Sequence, residues 1–88
     1  MNAIITVVGA DKVGIIAKVS GFLAERGINI ADINQTVLSG NFVMMMMVAI
    51  EENNYLPLIK QELSTLGEAL GVSISLMHEK VFSAMHRI

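Results

Sequence analysis

The fold is decided by residues 7–30, which read VVGADKVGIIAKVSGFLAERGINI. A strand end, a glycine-bounded loop, a helix and the start of a second strand follow one another. The apolar residues of the helix recur as one helical stripe, made of Ile15, Ile16, Val19, Phe22 and Leu23. We expect Asp11 to be the N-cap and Gly27 to end the helix. The loop therefore offers helix N–H groups that suit a carboxylate or another small anion.

The two glycines of this loop also have a simpler interpretation, because Gly9 and Gly14 can merely permit a tight turn. A P-loop is excluded, since Ile15 and Ile16 stand where Lys and Ser or Thr would be needed. The dinucleotide fingerprint G-x-G-x-x-G is absent as well. The stretch thus predicts a turn or a small-anion site, not a nucleotide site.

The composition bounds the class of protein. The chain has 88 residues, of which 53% are hydrophobic, and a mean hydropathy of +0.62. So much apolar content in one small domain favours an oligomer interface over a membrane span, because polar residues interrupt the uncharged run 33–50. Residues after Met1 do not resemble a signal peptide. The chain has no cysteine, which excludes thiolate metal sites and disulfides and fits a cytoplasmic protein. A net charge of -2 without a basic patch argues against direct nucleic-acid binding.

The remaining periodicities complete the order of elements. We expect strands at 3–8, 28–38, 41–50 and 72–79, helices at 14–26 and 56–70, and a helical turn at 81–88. Ser39-Gly40 predicts a hairpin, a change of apolar phase near Asp32 predicts a bulge, and Asn54 is a candidate cap of the second helix. This β-α-β-β-α-β order is the ferredoxin-like α+β plan: a four-stranded antiparallel sheet with two helices on one face. We expect one domain, 1–88, with a core at 3–80 and a tail at 81–88.

The third strand is apolar on both faces. Its central residues read FVMMMMVAI, so methionines point to both sides of the sheet. Helices of one small domain cover one face, and the other face must meet another sheet or chain. Flexible methionines suit such a contact. We therefore expect Met45, Met47, Phe82 and Met85 to form an interface.

The first loop and the segment Gly27-Ile28-Asn29-Ile30 resemble the ACT domain, a regulatory module that binds amino acids in many metabolic enzymes. The whole chain is similar to a narrower group of small stand-alone ACT proteins of bacteria and archaea. These share V-x-G-x-D-x-V-G-I near the start, the segment around Asp32, Ile33, Gln35 and Thr36, and an ending like AMHRI. The group is similar to the ACT part of the glycine-cleavage transcriptional repressor.

The resemblance implies a ligand at a dimer interface, between the first loop of one subunit and the second strand of another. The residues that this resemblance assigns to the ligand site are Asp11, Lys12, Val13, Gly14, Ile15, Asn29 and Ile30. Backbone N–H groups near Gly14 would bind the ligand carboxylate, Asp11 its ammonium, and Asn29 the ligand or the partner's loop. Val13 departs from the family's frequent Pro. Asp11 and Asn29 also have purely structural interpretations, as a helix cap and as an anchor of the strand start.

Nothing in the pattern predicts catalysis, a cofactor or a metal site. His78 and His86 lie far from the first loop and lack the spacing of a metal pair. Stacking aromatics for RNA, paired cysteines for metal transfer and an arginine in the first loop for acylphosphatase activity are absent. We expect a homodimer or higher oligomer that senses a small molecule and signals to a protein partner. The alternative is a ligand-free interaction module that uses its sheet face and tail.

Overall fold

The computed structural model describes residues 1–10 and 13–86, with side chains described up to residue 84. Its elements follow the expected β-α-β-β-α-β order, with a further helix at the end. They are β1 (Asn2–Gly9), α1 (Ile15–Glu25), β2 (Asn29–Leu38), β3 (Asn41–Ala49), α2 (Leu56–Leu70), β4 (Ser73–His78) and α3 (Glu79–His86). The predicted ferredoxin-like fold is therefore confirmed, and the terminal helix begins two residues earlier than expected.

The sheet is antiparallel, with strand order β2-β3-β1-β4. The uncharged strand β1 is an inner strand of this sheet. The hairpin between β2 and β3 turns at Ser39 and Gly40, whose φ values of 53° and 78° fit the left-handed conformations of a tight hairpin. The predicted bulge is also present, because the register between β2 and β3 shifts between Ile30 and Asp32.

The core lies between one face of the sheet and helices α1 and α2. Each helix presents a narrow apolar stripe, with Val19 and Leu23 fully buried on α1 and Leu63 on α2. The sheet contributes alternate residues of its two inner strands: Ala3, Ile5, Val7, Phe42, Met44, Met46 and Val48. Within the described residues, no helix combines the length and the apolar character that crossing a membrane requires.

Both predicted N-caps are wrong. Helix α1 begins at Ile15 with Gly14 as its N-cap, so Asp11, which lies outside the described residues, does not hold that position. Helix α2 is preceded by Tyr55, and no side chain in the described part of the chain caps it. Asn54 instead donates its Nδ2 hydrogen bond to the carbonyl of Arg26, 3.4 Å away. A contact across the fold has thus displaced the local cap that the residue type favours.

Helices α1 and α2 both end at a glycine. Gly27 takes a φ of 67°, and the N–H groups of Gly27 and Ile28 donate to the carbonyls of Ala24 and Leu23. This pair of bonds is the Schellman arrangement, which needs a left-handed residue after the helix. Gly71 ends α2 with a φ of 72° in the same way.

Helix α3 changes the expectation for the second face of the sheet. It packs on β1 and β4, opposite α1 and α2, and leaves the β2–β3 half of that face uncovered. Ile4 points to this outer face and yet is only 5% exposed. The chain itself therefore covers half of the face that we expected another sheet or chain to cover.

Candidate ligand-binding edge and sheet face

The first loop leads from β1 into the N-terminus of α1. Gly14 has a φ of 74°, and its carbonyl accepts the N–H of Lys18 at 3.0 Å, the first bond of α1. Among the residues that the structure describes, no side chain caps the helix through a hydrogen bond. The N–H groups of the first turn therefore face the end of the sheet where β1 stops, in the position that suits a small anion.

The structure brings the described part of the predicted loop site together. Val13 and Gly14 are exposed, with Val13 at 83%. Ile15 is only 3% exposed, because its side chain belongs to the core. It can therefore offer a ligand its backbone only. Asp11 and Lys12 lie outside the described residues.

The other predicted ligand residues lie at the opposite end of the fold. Asn29 pairs with Ala49, which in turn pairs with Asn2 at the start of β1, whereas the first loop follows Gly9 at the end of β1. Helix α1 separates Gly14 from Asn29, and its 11 residues span about 16 Å. Asn29 is exposed and Ile30 is half-buried. One chain therefore does not bring the loop and Asn29 together.

The end of β2 beside the first loop is unusually apolar for a surface. Strand β2 is an edge strand, and its residues 31–38 are all exposed. Val37 and Leu38 are each 66% exposed, and Val37 pairs with Phe42, which pairs with Gly9 at the loop. Exposed apolar residues that lie together on a surface often mark an interaction site. Sequence reasoning missed this region, although the apolar Val37-Leu38 pair ahead of the hairpin was a visible signal.

The bulge in β2 decides which side chains face outward. Without it, Asp32 would stand opposite the buried Met46. With Ala31 as the extra residue, Asp32 pairs with Met47 and Asn34 with Met45, on the outer face. Asp32 Oδ1 accepts the N–H of Ile33 at 2.9 Å. A polar row on β2 thus borders the methionine row of β3.

A cavity of about 180 Å³ lies between this polar row and α3. Met45 and Met47 are half-buried there, and Phe82 of α3 lines the same space. The side chain of Met85, the fourth predicted interface residue, lies outside the described residues. Three of the four predicted interface residues thus come together on the outer face.

A second groove, of about 470 Å³, separates α1 from α2. Arg26, which lines this groove, donates to Glu62 through Nε at 3.2 Å and Nη2 at 2.9 Å, and its guanidinium lies 3.6 Å from the centre of the Phe22 ring. The hydrogen bonds from Arg26 hold the pKa of Glu62 below its ordinary value, and those to Glu62 raise the pKa of Arg26. This pair joins the two helices and serves a structural role.

The histidine that the structure describes in full has a local role. His78 ends β4, and its Nδ1 accepts the N–H of Lys80 at 3.0 Å, in the first turn of α3. In the described part of the chain, no group of three or more His, Asp or Glu residues is placed to hold a metal ion.

Comparison with known proteins agrees with the fold described above. A family model described as ACT domain matches residues 2–77. The chain is 49% identical to the UPF0237 protein YjhC of Lactococcus lactis over the full length of both. An ACT domain protein from Streptococcus pneumoniae superposes with a TM-score of 0.86 at 46% identity, covering 93% of each chain.

A more distant neighbour carries a regulatory description. The structure of a glycine cleavage system transcriptional repressor superposes with a TM-score of 0.80 at 25% identity. The match covers 85% of this chain and 44% of the repressor. Similar small ACT proteins occur in bacteria and in archaea, and ACT domains are generally ligand-sensing regulatory modules. This chain belongs to the ACT-domain family, among these small bacterial and archaeal proteins.

Proposed function

We propose that this protein is a cytoplasmic, non-catalytic sensor that binds an amino acid or a similar small molecule at a homodimer interface and signals to a partner protein. Residues 1–88 would act as one unit, with the tail 81–88 on its outer face. The ligand would lie between the first loop of one chain and the start of β2 in the other. Its carboxylate would accept N–H bonds at Gly14, and Asn29 of the partner subunit would bind its other end.

The observation that carries this proposal is the separation of Gly14 from Asn29 by the length of α1. A single chain offers half of a site at each end. Two chains related by a two-fold axis, running in opposite directions, would bring unlike ends together and complete two equivalent sites.

The edge strand β2 supports such an arrangement. It has an open hydrogen-bonding edge, which readily pairs with another strand. Antiparallel pairing of two β2 strands would place Asn29 of one chain near Leu38 of the other, at the end where the first loop lies. The exposed Val37 and Leu38 would then be buried against the partner, which would stabilise the dimer.

The sheet face would carry the signal outward. Met45, Met47 and Phe82 lie on the outer face, so a dimer through the β2 edge would leave this face open to a protein partner. Met85, the fourth residue predicted for this interface, has its side chain outside the described residues. A ligand that favours the dimer would raise the share of molecules that present two such faces at once.

The test is a thermal-shift screen against the amino acids at millimolar concentration. A ligand at a hundred times its Kd stabilises the folded state by about 2.7 kcal/mol, which raises the Tm by several degrees. One amino acid should give such a shift, and Asn29→Ala or Asp11→Ala should remove it without lowering the Tm of the free protein. Asn53→Ala, at an exposed turn position, is the matched control. A shift that survives both changes would refute the loop site.

A second candidate function is a ligand-free interaction module. It is favoured by the half-exposed methionines Met45 and Met47 beside the α3 helix. A flat amino-acid panel, together with loss of partner capture in Met45→Glu and Met47→Glu, would support this candidate over the sensor.

A further inference from the structure

The cavity on the outer face is distinct from the first-loop site. It is floored by Met45 and Met47 on β3 and Ile4 on β1, closed on one side by Phe82 and on the other by Asp32 and Asn34. Four elements thus contribute to one concave space, which is mostly apolar with a short polar rim. Small-molecule sites usually have this composition, although most of them are larger.

The charge of the residues that line the cavity indicates which kind of ligand it can bind. Among the residues that the structure describes, Asp32 is the one ionisable side chain in the lining, and it is negative. The N–H of Ile33 occupies its Oδ1, and no described residue donates to its second carboxylate oxygen. A cationic group of a ligand would form an ion pair with the Asp32 carboxylate, whereas a ligand carboxylate would be repelled by it. Methionine thioethers and the Phe82 ring suit a compact apolar group beside the cation.

We infer that this cavity binds a small hydrophobic amine, with the apolar group on Met45 and Met47 and the ammonium at Asp32. The β2 bulge is what turns Asp32 outward to this position. An amino acid fits less well, because its own carboxylate would lie near Asp32 without a cation to balance it. The site therefore differs in chemistry from the amino-acid site proposed at the first loop and does not depend on it.

The test uses the alternation of β3 as its internal control. The full-length protein carries ¹³C-methyl methionine, and isoamylamine, isoamyl alcohol, isovalerate and leucine are titrated separately. The methyl signals of Met45 and Met47 should shift with isoamylamine and saturate. That of Met44, which is fully buried on the other face and does not line the cavity, should stay in place. Isoamylamine should bind about fivefold more tightly than isoamyl alcohol, the advantage expected of an exposed ion pair.

Variants separate this site from the others. Asp32→Asn keeps an acceptor for the Ile33 N–H, and it should bring isoamylamine to the affinity of isoamyl alcohol. Glu68→Gln, an equal change of charge at an exposed position on α2, should leave the preference intact, as should Asn29→Ala. The inference is wrong if the methyl signals do not move, if amine, alcohol and acid bind equally, or if Asp32→Asn has no effect. It is also wrong if dilution alone shifts Met45 and Met47, since a second copy would then occupy the face.

Discussion

Arg26, just after α1, and Glu62, within α2, form a two-point ion pair with distances of 3.2 and 2.9 Å. The pair spans 36 residues of sequence and joins the two helices beside the groove that it lines. Arg26 is also held by its bond to the Phe22 carbonyl at 3.0 Å and by the Phe22 ring. Its position is therefore determined from both helices.

This pair predicts a pH dependence of stability. Because the folded-state pKa of Glu62 is lowered, its contribution is present at pH values above the unfolded-state pKa and is lost as the pH falls through the folded-state pKa. Glu62→Gln should therefore have a lower Tm than the wild type at pH 7, and the gap should close on acidification. Thermal melts from neutral pH to about pH 3 measure it. A gap that stays constant over that range would contradict the assigned ion pair.

The surroundings of two helical glycines predict opposite effects of substitution by alanine. A Cβ on Gly67 of α2 would lie 2.8 Å from the carbonyl oxygen of Val72 and 3.2 Å from Cγ1 of Ile74, whereas a Cβ on Gly21 of α1 would meet nothing within 4 Å. Gly67→Ala should lower the free energy of unfolding by roughly 1–3 kcal/mol, through crowding of α2 against β4. Gly21→Ala should raise it by about 0.5–1 kcal/mol, because alanine favours the helix. Urea unfolding measures both, and equal signs would refute the packing described.

The edge and the face of the sheet predict different assembly defects. Val37→Lys should weaken the dimer about tenfold or more, because it places a charge in the contact between the β2 edges. Met45→Glu should leave the dimer intact and abolish partner capture. Leu58→Lys, a change at a half-exposed position on α2, is the control for both. Sedimentation equilibrium distinguishes the cases: a dimer lost in Met45→Glu and kept in Val37→Lys would move the interface to the sheet face.

Much of the fold could be predicted from local patterns. Apolar spacing at 3.6 and 2 residues gave the element order, and Gly27, Gly71 and the pair Ser39-Gly40 marked the ends and the hairpin. These features depend on residues close in sequence. The N-cap predicted at Asn54 was wrong because a residue's capping preference competes with contacts distant in sequence, here the hydrogen bond that Asn54 donates to the Arg26 carbonyl.

The candidate site was less predictable for the same reason. The ligand residues followed from resemblance, but the distance between Gly14 and Asn29 depends on how α1 lies across the sheet. The bulge was expected, yet the face on which Asp32 lies depends on which residue is the extra one. The side of the sheet that α3 covers depends on packing, which its short apolar pattern leaves open.

The most direct measurement mixes two defective chains and titrates them with the amino acid that the thermal screen identifies. Asp11→Ala and Asn29→Ala should each fail to bind alone. After equimolar mixing and exchange, half of the dimers contain one chain of each kind, and each of these has one intact site. Calorimetry should therefore recover about a quarter of the wild-type sites, at wild-type affinity. A mixture that binds nothing, while both variants remain dimeric, would show that the site does not span two chains.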